Sequence, residues 1–111
     1  MITNYLFLNR ELLDDVYAAM GTVLVITKTR TDAVNFYNEL LIKYSDNPGA
    51  VLRDDAAQTI ASKVSKITVQ AARNPKDFDQ FRGQIFLKIF AVGFYTDDEL
   101  EFLNQCIADR S

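Results

Sequence analysis

The stretch from Ile85 to Leu103, IFLKIFAVGFYTDDELEFL, constrains the fold more than any other part of the chain. A nearly continuous apolar run ends at Gly93, and a new helix opens directly after it. The Thr96 hydroxyl can accept from the amide of Glu99, and the Glu99 carboxylate can reach back to the amide of Thr96. This is the reciprocal T-x-x-E capping pattern, with Tyr95 and Leu100 placed for a hydrophobic staple. The spacing predicts a buried helix over Lys76–Val92 that stops at a glycine, then a shorter helix from Asp97 to about Ala108.

Upstream, Asn9 can cap a first helix along which Leu12, Val16, Ala19, Met20 and Val23 keep helical spacing. The following GTVLVITKT, residues 21–29, has the length and β-branched content of a strand as well. An isolated strand has no partner to pair with, so helix is the favoured reading there. Thr31 can cap a second helix that carries Ala33, Phe36, Tyr37, Leu40, Leu41 and Tyr44 on one face. The turn cluster SDNPG ends it. A third helix, from near Asn47 to Arg73, gathers Leu52, Ala56, Ile60, Val64, Ile67 and Ala71 into a narrow seam. Asn74-Pro75 closes it and starts the fourth, with proline at the first helical position. Short connections make sequential helices antiparallel neighbours. The expected architecture is all-α: an up-and-down antiparallel four-helix bundle with a short fifth C-terminal helix, one domain over residues 1–111.

Composition narrows the chemistry. The chain has no His and one cysteine, Cys106, so an intrachain disulfide and a thiolate metal cluster are excluded. Without histidine the usual general base and the usual pH switch are missing. Cys106 lies between Leu103 and Ile107 at helical spacing, which predicts a buried thiol. The net charge of -3 gives no support to duplex nucleic-acid binding, although it leaves room for a local basic patch. The N-terminal segment lacks a basic start and a cleavage signal, and the apolar runs fall short of the ~20 residues of a spanning helix. These features predict a cytoplasmic protein that needs no cofactor and holds no metal.

Three acidic pairs occur, Asp14-Asp15, Asp54-Asp55 and Asp97-Asp98. Neighbours on a helix point about 100° apart and cannot easily converge on one metal ion, and Asp54-Asp55 and Asp97-Asp98 suit helix starts. Lys63, Lys66 and Arg73 fall on one face of the expected third helix, a basic stripe able to face anions or lipid, or simply solvent. No phosphate loop and no nucleophile with a visible base is present. Tyr5, Phe7, Phe94, Tyr95 and Phe102 are hard to bury together in so small a domain, and exposed aromatics mark partner surfaces. Core packing is the favoured role for these rings, and the residues on their own describe a helical domain without identifying an activity. A non-enzymatic helical adaptor or inhibitor of the phage or mobile-element type, binding a host protein as a monomer or a homodimer, is the alternative reading.

Phe94, Thr96, Glu99, Leu100, Leu103 and Ile107, together with the apolar run before them, resemble the late-helix phrase F-T-x-x-E of small bacteriocin immunity proteins of the enterocin A type. The resemblance covers roughly the last third of the chain. It implies a cytosolic four-helix bundle that protects a bacterial cell by binding the membrane receptor–transporter complex of a peptide bacteriocin. It places the partner surface at the corner before the last helix and on that helix: Phe94, Tyr95, Asp98, Glu101, Phe102, Gln105 and Arg110. Peripheral contact with the membrane is compatible with that role, and nucleic acid has no part in it.

Overall fold

The computed structural model describes residues 2–46 and 51–108. It contains a mixed sheet of six strands, β1 Ile2–Tyr5, β2 Gly21–Thr27, β3 Leu52–Asp54, β4 Thr59–Ala61, β5 Ser65–Ala71 and β6 Lys88–Val92. Three α-helices accompany it, α1 Arg10–Ala18, α2 Arg30–Tyr44 and α3 Asp97–Ala108, with a 3-10 helix at Pro75–Phe81. The strand order is β1-β6-β2-β5-β4-β3. The first four strands in that order run parallel, and β4 and β3 extend the sheet as antiparallel hairpin strands.

Helices cover both faces. Leu12 and Val16 of α1 and Ala33, Phe36 and Leu40 of α2 pack on Val23, Val25, Ile67, Val69, Phe90 and Val92. On the other face, Phe78 and Phe81 of the 3-10 helix and Leu103, Cys106 and Ile107 of α3 pack on Leu24, Ile26, Ile89 and Ala91. The chain is therefore a three-layer α/β fold and not the all-α four-helix bundle that its spacing suggested. The first, second and fifth expected helices form, the second capped by Thr29 rather than Thr31. Residues 21–27 and the ranges read as the third and fourth helices do not.

The correction has a physical cause. A parallel strand covered on both faces is apolar at every position, so its sequence loses the period-2 signal. β2 is such a strand: Val23 to Thr27 are all buried. Its partners come from residues far along the chain, with Val23 opposite Ile67 on β5 and Lys88 on β6. Burying each aliphatic side chain contributes about 1.5–3 kcal/mol, whereas helix propensities differ by less than about 1 kcal/mol per residue. Packing decides the matter. β5 keeps the alternation of a strand with one open face, with Ser65, Ile67 and Val69 buried. In the range read as a fourth helix, the 3-10 helix ends at Phe81, Gly83 has a φ of +79°, and the chain then extends into β6. The start of the third helix near Asn47, the NPG part of the turn and Arg110 lie outside the described residues. No helix among the described residues is long and apolar enough to cross a membrane.

Candidate functional site at the carboxyl edge of the sheet

Ligands of open parallel α/β sheets collect at the carboxyl ends of the strands, where connections diverge to opposite faces. Here β1 and β2 lead into α1 and α2 on one face, while β5 and β6 lead into the 3-10 helix and α3 on the other. Four short loops meet at this edge, Leu6–Asn9 after β1, Gly93–Thr96 after β6, Lys28–Thr29 after β2 and Ala72–Asn74 after β5.

Each loop is ordered by a cap that its own sequence supplies. Asn9 Oδ1 accepts from the Leu12 amide at 2.8 Å and Thr29 Oγ1 from the Asp32 amide at 3.1 Å. The Asp77 carboxylate accepts from the amides of Arg73 at 2.9 Å and Asn74 at 3.4 Å. The reciprocal box before α3 is present: the Thr96 amide donates to Glu99 Oε1 at 2.8 Å and the Glu99 amide to Thr96 Oγ1 at 3.1 Å. That backbone hydrogen bond, ahead of other influences, holds the Glu99 carboxyl below its ordinary value.

The loops are also joined to one another. The Gly93 amide donates to Tyr5 O at 2.7 Å, and the Asn4 side-chain amide donates to Ala91 O and Gly93 O at 2.8 and 3.1 Å. The Tyr95 hydroxyl, its pKa raised by burial, donates to Ala72 O at 2.8 Å. Lys28 ties three loops together: its ammonium donates to Arg73 O at 2.9 Å and sits 3.8 Å from the centre of the Tyr95 ring. Its stem fills the space above Gly93, where an added Cβ would meet Lys28 Cγ at 2.8 Å.

Against this ordered frame the arginines divide. Arg53 pairs with Asp55 at 2.7 Å on the far hairpin, and Arg82 with Asp79 at 2.9 Å after the 3-10 helix. Arg10, Arg30 and Arg73 are exposed, and among the described residues their guanidinium groups make no ion pair or hydrogen bond. All three sit at the carboxyl edge. Arg10 and Arg30 are the first residues of α1 and α2, directly after the caps. A cation is disfavoured there by the helix dipole. The acids of the same first turns, Glu11 and Asp32, do not pair with them. In contrast, α3 starts with Asp97, Asp98 and Glu99, as the dipole favours.

A groove of about 390 Å³ runs between α1 and α2 beside Asn9 and Arg10, floored by Leu13 and Phe36. Asn35 on its wall also lines a shallower depression next to Arg30 and Thr31. A larger cavity of about 500 Å³ lies beside β1 and the end of α1. Two of its polar groups satisfy each other: Tyr5 donates to the Asp15 carboxylate, and that bond raises the tyrosine pKa to about 12.

The residues singled out by sequence are dispersed. Phe94 is 75% exposed at the carboxyl edge. Tyr95 turns inward and is not a surface residue. Phe102 packs against Phe78, with ring centres 6.3 Å apart. Asp98, Glu101 and Gln105 are exposed on α3. The basic stripe dissolves: Lys63 lies in the β4–β5 turn and Lys66 near the start of β5, while Arg73 follows its end. At the rise of a strand, Lys66 and Arg73 are about 23 Å apart. Of the acidic pairs, Asp14 binds Lys43 at 2.9 Å and Asp55 accepts from Tyr37 at 2.7 Å. Among the described residues no three His, Cys, Asp or Glu side chains gather as a metal site would require. Cys106 is buried, with the Arg82 guanidinium 3.3 Å from its sulfur. Arg10, Arg30 and Lys28 were missed. Two arginines each following a cap residue, N-R and T-R, were the available signal.

No family model, no curated protein and no solved structure matches this chain.

Proposed function

We propose that this chain is a binding module without catalytic chemistry of its own, and that it takes a phosphate-bearing partner at the carboxyl edge of its sheet. The observation that carries this reading is the placement of three arginines that have no partner among the described residues. The guanidinium groups of Arg10, Arg30 and Arg73 are exposed at one edge, and two of them stand where the helix dipole opposes a cation. Local rules are broken in this way where function gains from it. Guanidinium groups match phosphate oxygens in a bidentate manner, and the helix starts behind them add partial positive charge.

The test is calorimetric titration with inorganic tripolyphosphate at low salt, on the intact chain and on R10Q/R30Q/R73Q. Charge-assisted hydrogen bonds contribute about 1.5–3 kcal/mol each, so the triple variant is expected to bind at least about 100-fold more weakly. Equal binding by both proteins, or none by the intact chain, would contradict the reading.

A protein partner is the second reading, and the observation behind it is the exposure of Leu6, Phe7 and Phe94 at the same edge. The immunity function implied by the resemblance belongs to this reading, now without the four-helix bundle that came with it. Expressing the chain in a sensitive strain and challenging it with related bacteriocins tests that function. Unchanged sensitivity would remove it.

A further inference from the structure

We infer that β1 pairs with the β1 of a second copy of this chain, so that two molecules share one continuous sheet about a twofold axis at Thr3. The inference does not rest on the anion-binding reading. β1 is an end strand of the sheet and is bonded to β6 on one side only. The Gly93 amide donates to Tyr5 O at 2.7 Å, which turns the backbone of Tyr5 toward β6. Alternation along the strand turns Thr3 the same way and leaves the N–H and C=O groups of Ile2 and Asn4 pointing outward. Proteins protect such an edge with charge, proline, a bulge or a covering element. β1 reads ITNY, with neither charge nor proline, and it follows β6 residue for residue without a bulge. The cavity of about 500 Å³ lined by Thr3, Tyr5, Lys88 and Phe90 leaves its α1 face open as well.

The outward groups are spaced for self-pairing. In an antiparallel pair, opposed residues alternate between those that exchange both backbone bonds and those that exchange none. With Thr3 opposite the partner's Thr3, Ile2 meets the partner's Asn4 and Asn4 meets the partner's Ile2. All the outward groups of these residues then bond, and the two threonines form the non-bonded pair, where side chains approach most closely. Charge selects a second copy over an arbitrary peptide, because it is reciprocal about the axis. Ile2 lies opposite Ile89, so Lys88 stands one row earlier on β6, on the same face as Phe90. In the pair, Tyr5 of one copy and the partner's Lys88 share a row two strand steps apart, ~10 Å between backbones. Tyr5 holds the Asp15 carboxylate, and Lys88 makes no ion pair among the described residues. Each copy thus offers an acid to the other's free cation. The opposed strand directions also set Leu6 and Phe7, at the carboxyl end of one sheet, beside the amino end of the other, where Met20 and Leu87 are exposed.

Sedimentation velocity over a concentration series tests the pairing, against a mass of 12.6 kDa for one chain. The mass should rise toward that of two chains. A single-chain mass at every concentration up to about 1 mM overturns the inference. T3K and T3E each set like charges across the axis and should weaken the dimer at least about 10-fold. An equal mixture of the two should restore it, since the mixed dimer opposes unlike charges. A dimer indifferent to both variants, or no recovery on mixing, also overturns the inference. Amide exchange on the unaltered chain gives a check that needs no variant to fold. The Thr3 and Tyr5 amides, bonded to β6, should be protected at all concentrations, and the Asn4 amide only as the dimer forms. An Asn4 amide that exchanges equally fast in dilute and concentrated samples contradicts the pairing.

Discussion

The two ends of the parallel sheet are made by the same strands and finish differently. At the amino end, Met20, Val64, Ile85 and Leu87 are each more than half exposed. They are carried by backbone bonds between neighbouring segments: Gly21 N to Val64 O at 2.8 Å and Leu87 N to Thr22 O at 2.9 Å. At the carboxyl end the loops are joined by side chains, with Asn4, Lys28, Tyr95 and Asp77 each binding a backbone group. Both ends leave apolar side chains outside. The amino end is tied mainly by the chain itself, whereas the carboxyl end spends side chains on joining its loops and carries three arginines with no partner among the described residues. Strand direction explains part of the contrast, because helices begin at the carboxyl end and bring their caps and free amides with them. It does not explain the arginines, and that surplus is the functional signal.

Two glycines offer the sharpest way to break the comparison. Gly21 and Gly93 both have positive φ, at +83° and +116°, and a Cβ on either would crowd one side chain, Leu87 or Lys28. Alanine at either position should cost about 1–3 kcal/mol of stability in urea denaturation. The binding consequences should differ. Gly93→Ala pushes Lys28 away from Arg73 O and the Tyr95 ring and should weaken anion binding as well. Gly21→Ala should leave binding as it was. Equal binding losses in the two variants would show that the edges are not functionally distinct.

The capping box before α3 gives a smaller effect with a definite pH dependence. The Glu99 carboxyl is depressed by its bond from the Thr96 amide. Its contribution is therefore complete above the ordinary carboxylate range and is lost as pH falls through the folded value. Glu99→Ala should lower stability by about 0.5–1 kcal/mol at neutral pH. The gap between this variant and the parent should narrow as pH falls below the ordinary carboxylate range. A gap that widens on acidification would show that the carboxylate does not act through this cap.

The smallest effect has the opposite sign. Arg10→Gln and Arg30→Gln each remove a cation from a helix start and should raise stability by about 0.3–1 kcal/mol at low salt, while weakening anion binding. Thermal denaturation and titration on the same samples check both halves. Loss of stability would mean that these arginines serve the fold and not a ligand.

Legibility in the sequence followed how local each cause was. Asn9 and the Thr96–Glu99 pair act within one helical turn, and they are found as read. Asn74-Pro75 begins a helical turn as expected, in a 3-10 helix, with Asp77 completing the cap. β2 depends on partners far along the chain, as the pairs Val23–Ile67 and Val23–Lys88 show, and β6 pairs with β1 at Ile2–Ile89. An apolar run with such partners has the composition of a buried helix until its neighbours are known. Gly83, in the middle of the range read as one helix, and the β-branched GTVLVIT were the residues that opposed the bundle. At the site, Phe94 was legible as an aromatic in excess of the core. The arginines were not, because Arg10 and Arg30 open two separate helices and Arg73 follows β5, and only the strand order brings the three to one edge.

The most direct test of the account is amide chemical-shift mapping of the isotope-labelled chain during titration with inorganic tripolyphosphate. The account predicts that perturbations gather in the loops and helix starts at residues 6–10, 28–31, 72–74 and 93–96 and saturate together. Perturbations gathered instead at residues 20–22, 62–65 and 85–88, or scattered evenly over the surface, would contradict it.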